Sequence, residues 1–160
     1  MEDKLLHRDL SYALRGLLFE IHNELGQFRN EKQYGDAYEN KLQRDKYYYE
    51  REVILPPTFT GEHTHRNRID FVVEHLIIVE FKHVPAVSRD DYLQCQRYLV
   101  SLNLDLALLV NFRTRYLTVK RVLNHEKFRR EQELINSSQS TSHKQLASEN
   151  LDYPDIGIKL

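Results

Sequence analysis

The sequence predicts an α/β domain in which helices flank a mixed central β-sheet. Three segments of the chain carry apolar residues at helical spacing, and five shorter segments alternate or run apolar as strands do. Along the chain these segments follow the order α-α-β-β-β-α-β-β. Helices interspersed with strands in this way cover the faces of a shared sheet, which gives the predicted architecture.

The predicted helices lie at residues 10–25, from about residue 30, and from Ser88 through about Leu102. The first ends at Gly26, which stands where a helix C-cap is expected. The third opens at Ser88, which with an aspartate three residues later resembles a capping box. The second carries its pattern at three- and four-residue steps: Glu31, Tyr34, Tyr38 and Leu42.

The predicted strands occupy five short segments. Residues 48–55 alternate in polarity as a strand does and stop at two consecutive prolines. Residues 67–73 and 77–83 are predicted to pair as a hairpin with a short turn between them. Residues 104–112 indicate a buried strand, and residues 115–123 alternate as its hairpin partner.

The chain is predicted to divide after residue 124. Residues 1–124 contain all the predicted strands, whereas residues 125–160 are polar and low in complexity, apart from a short predicted helix over residues 126–135. Such a segment buries too little apolar area to offset the entropy lost on ordering it. We therefore expect a folded domain at 1–124 and a flexible C-terminal tail at 125–160.

The composition limits the classes of protein to which the chain can belong. A net charge of −1 argues against a surface coated in positive charge for non-specific nucleic-acid binding, but it does not exclude a local basic groove. The single cysteine, Cys95, cannot form an internal disulfide and suits a reducing cytosol. No apolar run reaches the roughly 20 residues of a membrane span, and the N-terminus lacks the apolar core of a signal peptide. We expect a cytoplasmic protein that does not bind membranes.

The segment RIDFVVEHLIIVEFK, residues 68–82, is strongly apolar yet contains Asp70, Glu80 and Lys82. Burying a charged group costs on the order of several kcal/mol of hydration unless a partner compensates it. Glu80 and Lys82 share one strand face, because side chains two residues apart point the same way. The alternative is an edge hairpin whose charges are solvated, or an ion pair between Asp70 and Lys82.

Asp70 joins that face only if it lies opposite Glu80 across the hairpin. This register requires a three-residue loop at 74–76, with Val73 opposite Ile77, or a bulge that restores parity. Two carboxylates opposed in this way repel each other, and a divalent cation resolves the conflict. Mg²⁺ prefers a few carboxylate oxygens with water and substrate phosphate. The pattern therefore indicates a Mg²⁺ site at which the lysine orients or polarises a bound water.

The hairpin resembles the PD-(D/E)XK nuclease superfamily, in which an aspartate precedes an E-x-K motif on the adjacent strand. Here Asp70 is followed by nine residues and then by Glu80-Phe81-Lys82, and Ile69 stands in place of the usual proline. Residues 20–34, EIHNELGQFRNEKQY, are similar to the opening of the small bacterial GxxExxY proteins, with Phe28 in place of the first glycine. The resemblance covers about residues 10–124 and includes the strand at 50–55, QCQRYL at 94–99 and LALLVNF at 106–112.

The resemblance implies a restriction-endonuclease-like core, a Mg²⁺ or Mn²⁺ cofactor and hydrolysis of phosphodiester bonds. Six residues match by position: Glu31, Asp70 and Glu80 as metal ligands, Lys82 as the catalytic lysine, and Gln94 and Tyr98 as a Q-x-x-x-Y pair on the following helix. This pair lies four residues apart on one helix face. Its amide and phenol could bond phosphate oxygens or hold the lysine in place.

We therefore predict a nuclease that hydrolyses DNA with a water activated between Lys82 and Mg²⁺. Its partner is nucleic acid, and a protein partner or a second copy of the chain is compatible with its small size. The alternative is a catalytically silent module that binds nucleic acid or protein and retains the nuclease fold for positioning only. A third hypothesis is a structural domain that binds a partner through its C-terminal tail.

Overall fold

The structure is a computed structural model that describes residues 6–63 and 66–148. It confirms the predicted α/β fold, a mixed five-stranded sheet flanked by helices. All the predicted elements occur in the predicted order, and a fourth helix follows them. The elements are α1 (Arg8–Leu25), α2 (Glu31–Arg44), β1 (Tyr49–Ile54), β2 (Arg68–Val73), β3 (Ile77–Lys82), α3 (Arg89–Leu102), β4 (Leu106–Asn111), β5 (Thr118–Leu123) and α4 (His125–Ser148).

The five strands form one sheet in the order β1-β2-β3-β4-β5, with β3 at its centre. β3 and β4 are parallel, and every other neighbouring pair is antiparallel. Parallel neighbours need a crossover connection, which α3 supplies between β3 and β4. Because β3 has a strand on each side, its charged residues do not belong to a solvated edge hairpin, and that alternative is wrong.

Capping residues mark the C-terminal end of α1 and the start of α2. Gly26 follows α1 with a φ of +68°, a left-handed value that glycine adopts without steric cost, and its N–H donates to the His22 carbonyl oxygen (2.9 Å). The Asn30 side chain accepts a hydrogen bond from the Gln33 N–H, and the Gln33 side chain accepts one from the Asn30 N–H. This capping box fixes the start of α2.

Apolar residues form a core on each face of the sheet. On one face, α1 and α2 pack against a core that includes Phe71 and Phe81. On the other face, α3 packs against a core that includes Val72 and Ile78. Successive residues of β2 and β3 thus face opposite helices, as the two-residue period of a strand requires.

This alternation is interrupted where Glu52 of β1 lies level with Asp70 of β2. Ile69 and Phe71 are two residues apart, yet Ile69 belongs to the core under α3 and Phe71 to the core under α1 and α2. Glu52 has a φ of +54°, in the left-handed region, in the middle of its strand. A residue other than glycine adopts such a conformation at a cost of roughly 1–3 kcal/mol. The side chains of β2 thus change the face to which they point at Asp70, and this change lies beside the strained backbone of Glu52.

The chain beyond the sheet forms α4, which begins directly after the compact unit that ends at Asn124. α4 covers His125–Ser148 and is longer than the short helix predicted over 126–135. A largely polar helix has no apolar stripe, so its full length leaves no periodic signal in the sequence. Residues 149–160 lie outside the described residues, and the flexibility predicted for 125–160 stays a prediction. None of the helices among the described residues has both the length and the apolar character to span a membrane.

Replacing Glu52 by glycine is expected to leave the free energy of unfolding unchanged or to raise it by up to about 1 kcal/mol, because relief of the left-handed φ offsets the entropy that glycine adds to the unfolded chain. Glu50→Gly is the matched control on the same strand. Glu50 has no positive φ to relieve, so its replacement should lower stability by about 0.5–1 kcal/mol. Urea unfolding followed by circular dichroism measures both variants, and equal losses would contradict strain at Glu52.

Candidate active site

The β2–β3 hairpin has the three-residue loop and the register that a shared face for Asp70 and Glu80 requires. Val73 pairs with Ile77, and the three residues between them form the loop. Two of these loop residues have positive φ values, 54° and 55°, which allow the chain to reverse within three residues. Since opposed residues are equidistant from the centre of the loop, this register sets Asp70 level with Glu80.

Beyond this paired region, the hydrogen bonds between the two strands are accepted by side-chain carboxylates instead of backbone carbonyls. Backbone pairing of β2 with β3 ends at Phe71 and Val79. The Asp70 Oδ2 atom then accepts a hydrogen bond from the Phe81 N–H (2.7 Å), and the Glu80 Oε2 atom accepts one from the Asp70 N–H (3.4 Å). The two acidic side chains thereby satisfy backbone donors that the opening hairpin would otherwise leave unpaired. Each carboxylate is held by the main chain of the opposite strand.

Burial raises the pKa values of both carboxyl groups, and a neighbouring negative charge adds to each rise. Glu80 is 4% exposed, and burial together with the charge of Asp70 raises its pKa to about 8. Burial also raises the pKa of Asp70, and the charge of Glu31 adds to this rise, although the Phe81 N–H acts in the opposite direction. The pair therefore retains a proton near neutral pH unless a cation takes its place.

Lys82 lies beside Glu80 and is surrounded by oxygen acceptors. Its Nζ atom donates hydrogen bonds to Gln94 Oε1 (2.7 Å) and Glu80 Oε1 (3.4 Å), and it lies 3.6 Å from Asp91 Oδ1. Burial alone would lower the pKa of Lys82, but the charges of Glu80 and Asp91 outweigh burial and raise it. The side chain is therefore a fixed ammonium group at neutral pH.

A chain of hydrogen bonds connects Lys82 through α3 to β2. Gln94 accepts from Lys82, and its Nε2 atom donates to the Tyr98 hydroxyl oxygen (2.7 Å). The Tyr98 hydroxyl in turn donates to the Arg68 carbonyl oxygen (3.1 Å). Of the two uses that the sequence suggested for this pair, these contacts match the one in which it holds the lysine in place.

Glu31, the first residue of α2, lies at the margin of this arrangement. Its Oε1 atom accepts a hydrogen bond from the His83 N–H (3.0 Å), one residue beyond Lys82. Glu31 also borders the same cleft as Asp70. Over residues 6–63 and 66–148, no three histidine, cysteine, aspartate or glutamate side chains lie close enough together to hold a metal ion. The structure thus brings Asp70 and Glu80 together, and Glu31 lies near enough for its charge to raise the pKa of Asp70 while its side chain bonds the His83 N–H.

An aromatic stack fixes the start of α2 against the end of β3. The Tyr34 ring is fully buried and stacks on Phe112 with 4.0 Å between ring centres. The Tyr34 hydroxyl donates to the Gly26 carbonyl oxygen (2.6 Å), and the His83 ring lies 6.1 Å from Tyr34. Since Glu31 precedes Tyr34 by one helical turn, the stack sets the position of the Glu31 backbone as well.

Two residues that support the site were missed in the sequence. Asp91 was assigned only to the capping box of α3, but it lies three residues before Gln94 on the same helix face, a spacing that could have signalled its contact with Lys82. Asn111 is 2% exposed and bonds both the N–H (3.2 Å) and the carbonyl oxygen (2.8 Å) of Val84. Its signal was a single amide at the end of an apolar strand.

A cleft of about 710 Å³ opens beside Asp70, on the α2 side of the sheet. Acidic and basic side chains both line it, so it can accept a group that carries negative charge and a cation together. The lining residues are Asn30, Glu31, Lys32, Gly35, Arg51, Glu52, Arg68, Asp70, Phe71, Phe81 and His83.

The oxygen donors of the site fit a hard divalent cation. Asp70 and Glu80 supply adjacent carboxylates, and the charge of Asp70 adds to the rise in the pKa of Glu80, a repulsion that a cation would relieve. Mg²⁺ is commonly held by one or two carboxylates together with water and substrate phosphate, so two are a sufficient protein contribution. Glu31 accepts the His83 N–H through Oε1 alone, which leaves acceptor capacity on its carboxylate.

Comparisons with known proteins give a family match and a structural similarity. A family model described as the PD-(D/E)XK nuclease superfamily matches residues 8–122. The crystal structure of SSO0001 is similar with 14% sequence identity and a TM-score of 0.42, and the match covers 71% of this chain and 76% of that chain. No curated protein matches the chain.

Glu80→Gln is expected to stabilise the metal-free protein more at pH 9 than at pH 5. The folded-state pKa of Glu80, about 8, exceeds the ordinary carboxyl value, so the folded protein binds the proton more tightly than the unfolded chain does. The wild-type protein therefore loses stability as the pH rises from the ordinary carboxyl pKa toward 8. The Glu80→Gln variant has no carboxyl group at this position and does not lose stability in this way. We expect the difference in melting temperature between variant and wild type to become more positive by a few degrees, about 2–4 °C per kcal/mol for a chain of this length.

The measurement is thermal unfolding in EDTA at a series of pH values. Glu50→Gln, at an exposed position of β1, is the matched control for loss of a strand carboxylate. If both variants follow the same pH trend relative to wild type, the burial of Glu80 is not its cause.

Proposed function

Because the chain belongs to the PD-(D/E)XK nuclease superfamily, we propose that it is a divalent-metal-dependent nuclease that hydrolyses phosphodiester bonds in DNA. One observation carries this proposal. The carboxylates of Asp70 and Glu80 lie together where two strands separate, with the Lys82 ammonium 3.4 Å from Glu80. Paired hard oxygens and one fixed cation suit phosphate chemistry, in which charge must be neutralised and an attacking water oriented.

Asp70 and Glu80 would hold Mg²⁺ or Mn²⁺, and Glu31 would complete the acidic set. When bound, such a cation lowers the pKa of a coordinated water and screens the charge that develops on phosphate. The backbone N–H groups of Phe81 and Asp70 orient the two carboxylates before any cation arrives. The protein therefore needs little reorganisation of this pair to receive it.

Lys82 serves as a donor of hydrogen bonds to the attacking water and to a phosphate oxygen. Its raised pKa keeps it protonated, which suits charge stabilisation. Gln94 and Tyr98 act as positioning residues, because their hydrogen bonds fix the ammonium group relative to β2.

Within the superfamily, we assign the chain to the GxxExxY type. Glu31 and Tyr34 supply the conserved letters of that motif, and both have structural roles at the start of α2. Phe28 occupies the first glycine position in a loop where it is 82% exposed, so its side chain meets no steric conflict with the core. This departure from the motif leaves the acidic residues unaffected.

One observation favours the second candidate, a catalytically silent module that binds nucleic acid or protein. Glu31 is bonded to the His83 backbone, and the described residues contain no cluster of three metal-binding side chains. A site that never gathers its third carboxylate could bind nucleic acid without cutting it. Cleavage and metal binding must therefore be measured separately.

Lys82→Ala and Asp70→Asn are each expected to reduce DNA cleavage by about 100-fold or more, because each removes a charge aimed at the reacting phosphate or its cation. Cleavage of linear, nicked and single-stranded DNA with Mg²⁺ or Mn²⁺ measures the loss. The matched controls are Lys120→Ala on β5 and Asp9→Asn on α1, both at exposed positions, which should cut as wild type does.

Metal binding is followed in the same preparations through the melting temperature. Mg²⁺ should raise it for wild type, Lys82→Ala and both controls, and should not raise it for Asp70→Asn. Cleavage that survives both site substitutions identifies a contaminant and supports the silent module. Stabilisation by Mg²⁺ without cleavage by wild type has the same meaning.

Tyr98→Phe is expected to lower kcat by about 10-fold while leaving KM unchanged, because loss of the hydroxyl frees Gln94 and loosens Lys82 without removing either. Tyr92→Phe is the matched control on α3, since its hydroxyl forms no hydrogen bond with a described residue. Steady-state cleavage kinetics measure both variants. A rise in KM at constant kcat would instead mean that Tyr98 contacts the substrate.

A further inference from the structure

Two loops at the end of the sheet that holds Lys82 expose aromatic rings that the core does not use. Phe28 lies in the loop between α1 and α2 and is 82% exposed. Tyr116 lies in the loop between β4 and β5 and is 75% exposed. Exposed rings of this size on an ordered loop cost hydrophobic free energy that burial against a ligand would recover.

The same buried contacts tie both loops to the candidate active site. The Tyr34 hydroxyl bonds Gly26 at the start of the first loop, and the Tyr34 ring stacks on Phe112, which directly precedes the second loop. The Phe112 N–H donates to the Lys82 carbonyl oxygen (3.0 Å). A ring nitrogen of His83 lies 2.8 Å from the Gln27 carbonyl oxygen. Both loops therefore border the end of β3 at which the catalytic lysine lies.

These loops also carry arginines without acidic partners. Arg29, Arg113 and Arg115 are exposed, and none forms an ion pair with a residue that the structure describes. The Arg115 guanidinium lies 5.4 Å from the centre of the Tyr116 ring. We name this surface the aromatic–arginine rim and define it as Phe28, Arg29, Arg113, Arg115 and Tyr116.

We propose that the aromatic–arginine rim binds single-stranded nucleic acid, stacking unpaired bases on Phe28 and Tyr116 while the arginines contact the phosphates. The bound strand would run along the end of the sheet past Lys82. This placement of the strand rests on the proposed nuclease function, whereas the binding itself does not.

The preference for a single strand follows from what the rim offers. Base–aromatic stacking needs an open base face, which a duplex keeps within its own stack. Duplex binding without base contacts depends instead on many phosphate contacts, and a chain with a net charge of −1 and three arginines at the rim has few to offer. An apolar protein partner is disfavoured because it would bury three guanidinium groups without counter-charges.

The test is a fluorescence-anisotropy titration of the full chain in EDTA, which prevents metal-dependent cutting. The probes are a labelled oligothymidylate and a blunt duplex of the same length. Wild type is expected to bind the single strand more tightly than the duplex. Three phosphate contacts should give a slope of about −2 for the logarithm of the binding constant against that of the salt concentration.

Substitutions separate stacking from charge. Phe28→Ala and Tyr116→Ala are each expected to weaken binding to the single strand by about 5- to 100-fold, the range for loss of one base–aromatic stack. Phe28→Tyr and Tyr116→Phe keep the ring and should bind as wild type does. Tyr12→Ala is the matched control, because Tyr12 is 80% exposed in the first half of α1 and outside the rim.

The outcomes distinguish this proposal from the nuclease proposal. If the rim variants bind the single strand as wild type does, or if the duplex binds equally tightly, the rim proposal is overturned while cleavage by Lys82 is unaffected. If the single strand binds and the rim variants weaken it, the proposal holds even for a protein that cuts no substrate. Equal weakening by Tyr12→Ala would also overturn it.

Discussion

The hydrogen bond from the Phe81 N–H to the Asp70 carboxylate is the interaction on which the rest of the site depends. It replaces a backbone bond at the point where β2 and β3 separate, and the Asp70 N–H bonds Glu80 in return. The two carboxylates accept hydrogen bonds from the Asp70 and Phe81 N–H groups. β2 and β3 can therefore separate at this point without leaving those backbone donors unpaired. The same exchange brings two acidic groups together, and the charge of Asp70 raises the pKa of Glu80.

The site uses both faces of the sheet, and each face contributes something different. α3 lies on one face and supplies Gln94, which bonds the lysine, and Asp91, whose charge helps to raise the lysine pKa. α2 lies on the other and brings Glu31 to the cleft beside Asp70. The turnover of strand faces at Asp70 lies between these two groups of residues. Strain in β1 at Glu52 is thus located where the two halves of the site meet.

Sequence periodicity was sufficient to predict the elements and their order, because these depend on local pattern. Strand parity showed only that a shared face for Asp70 and Glu80 requires a three-residue loop or a bulge, and the structure has the three-residue loop. Contacts set by packing between distant elements were not predictable, which is why Asp91 and Asn111 were missed as supports of the site. The left-handed Glu52 was also invisible, since no glycine marks its position.

The Tyr34–Phe112 stack anchors two loops at their bases and leaves their tips free of the core. Residues at those tips can change, and the loops can lengthen, without disturbing the charged groups on the strands, since doubling a loop's length costs only about 0.6 kcal/mol. Descendants of this chain could therefore acquire new target preferences by surface drift alone. The loop tips can therefore diverge in sequence while the charged groups on the strands stay the same.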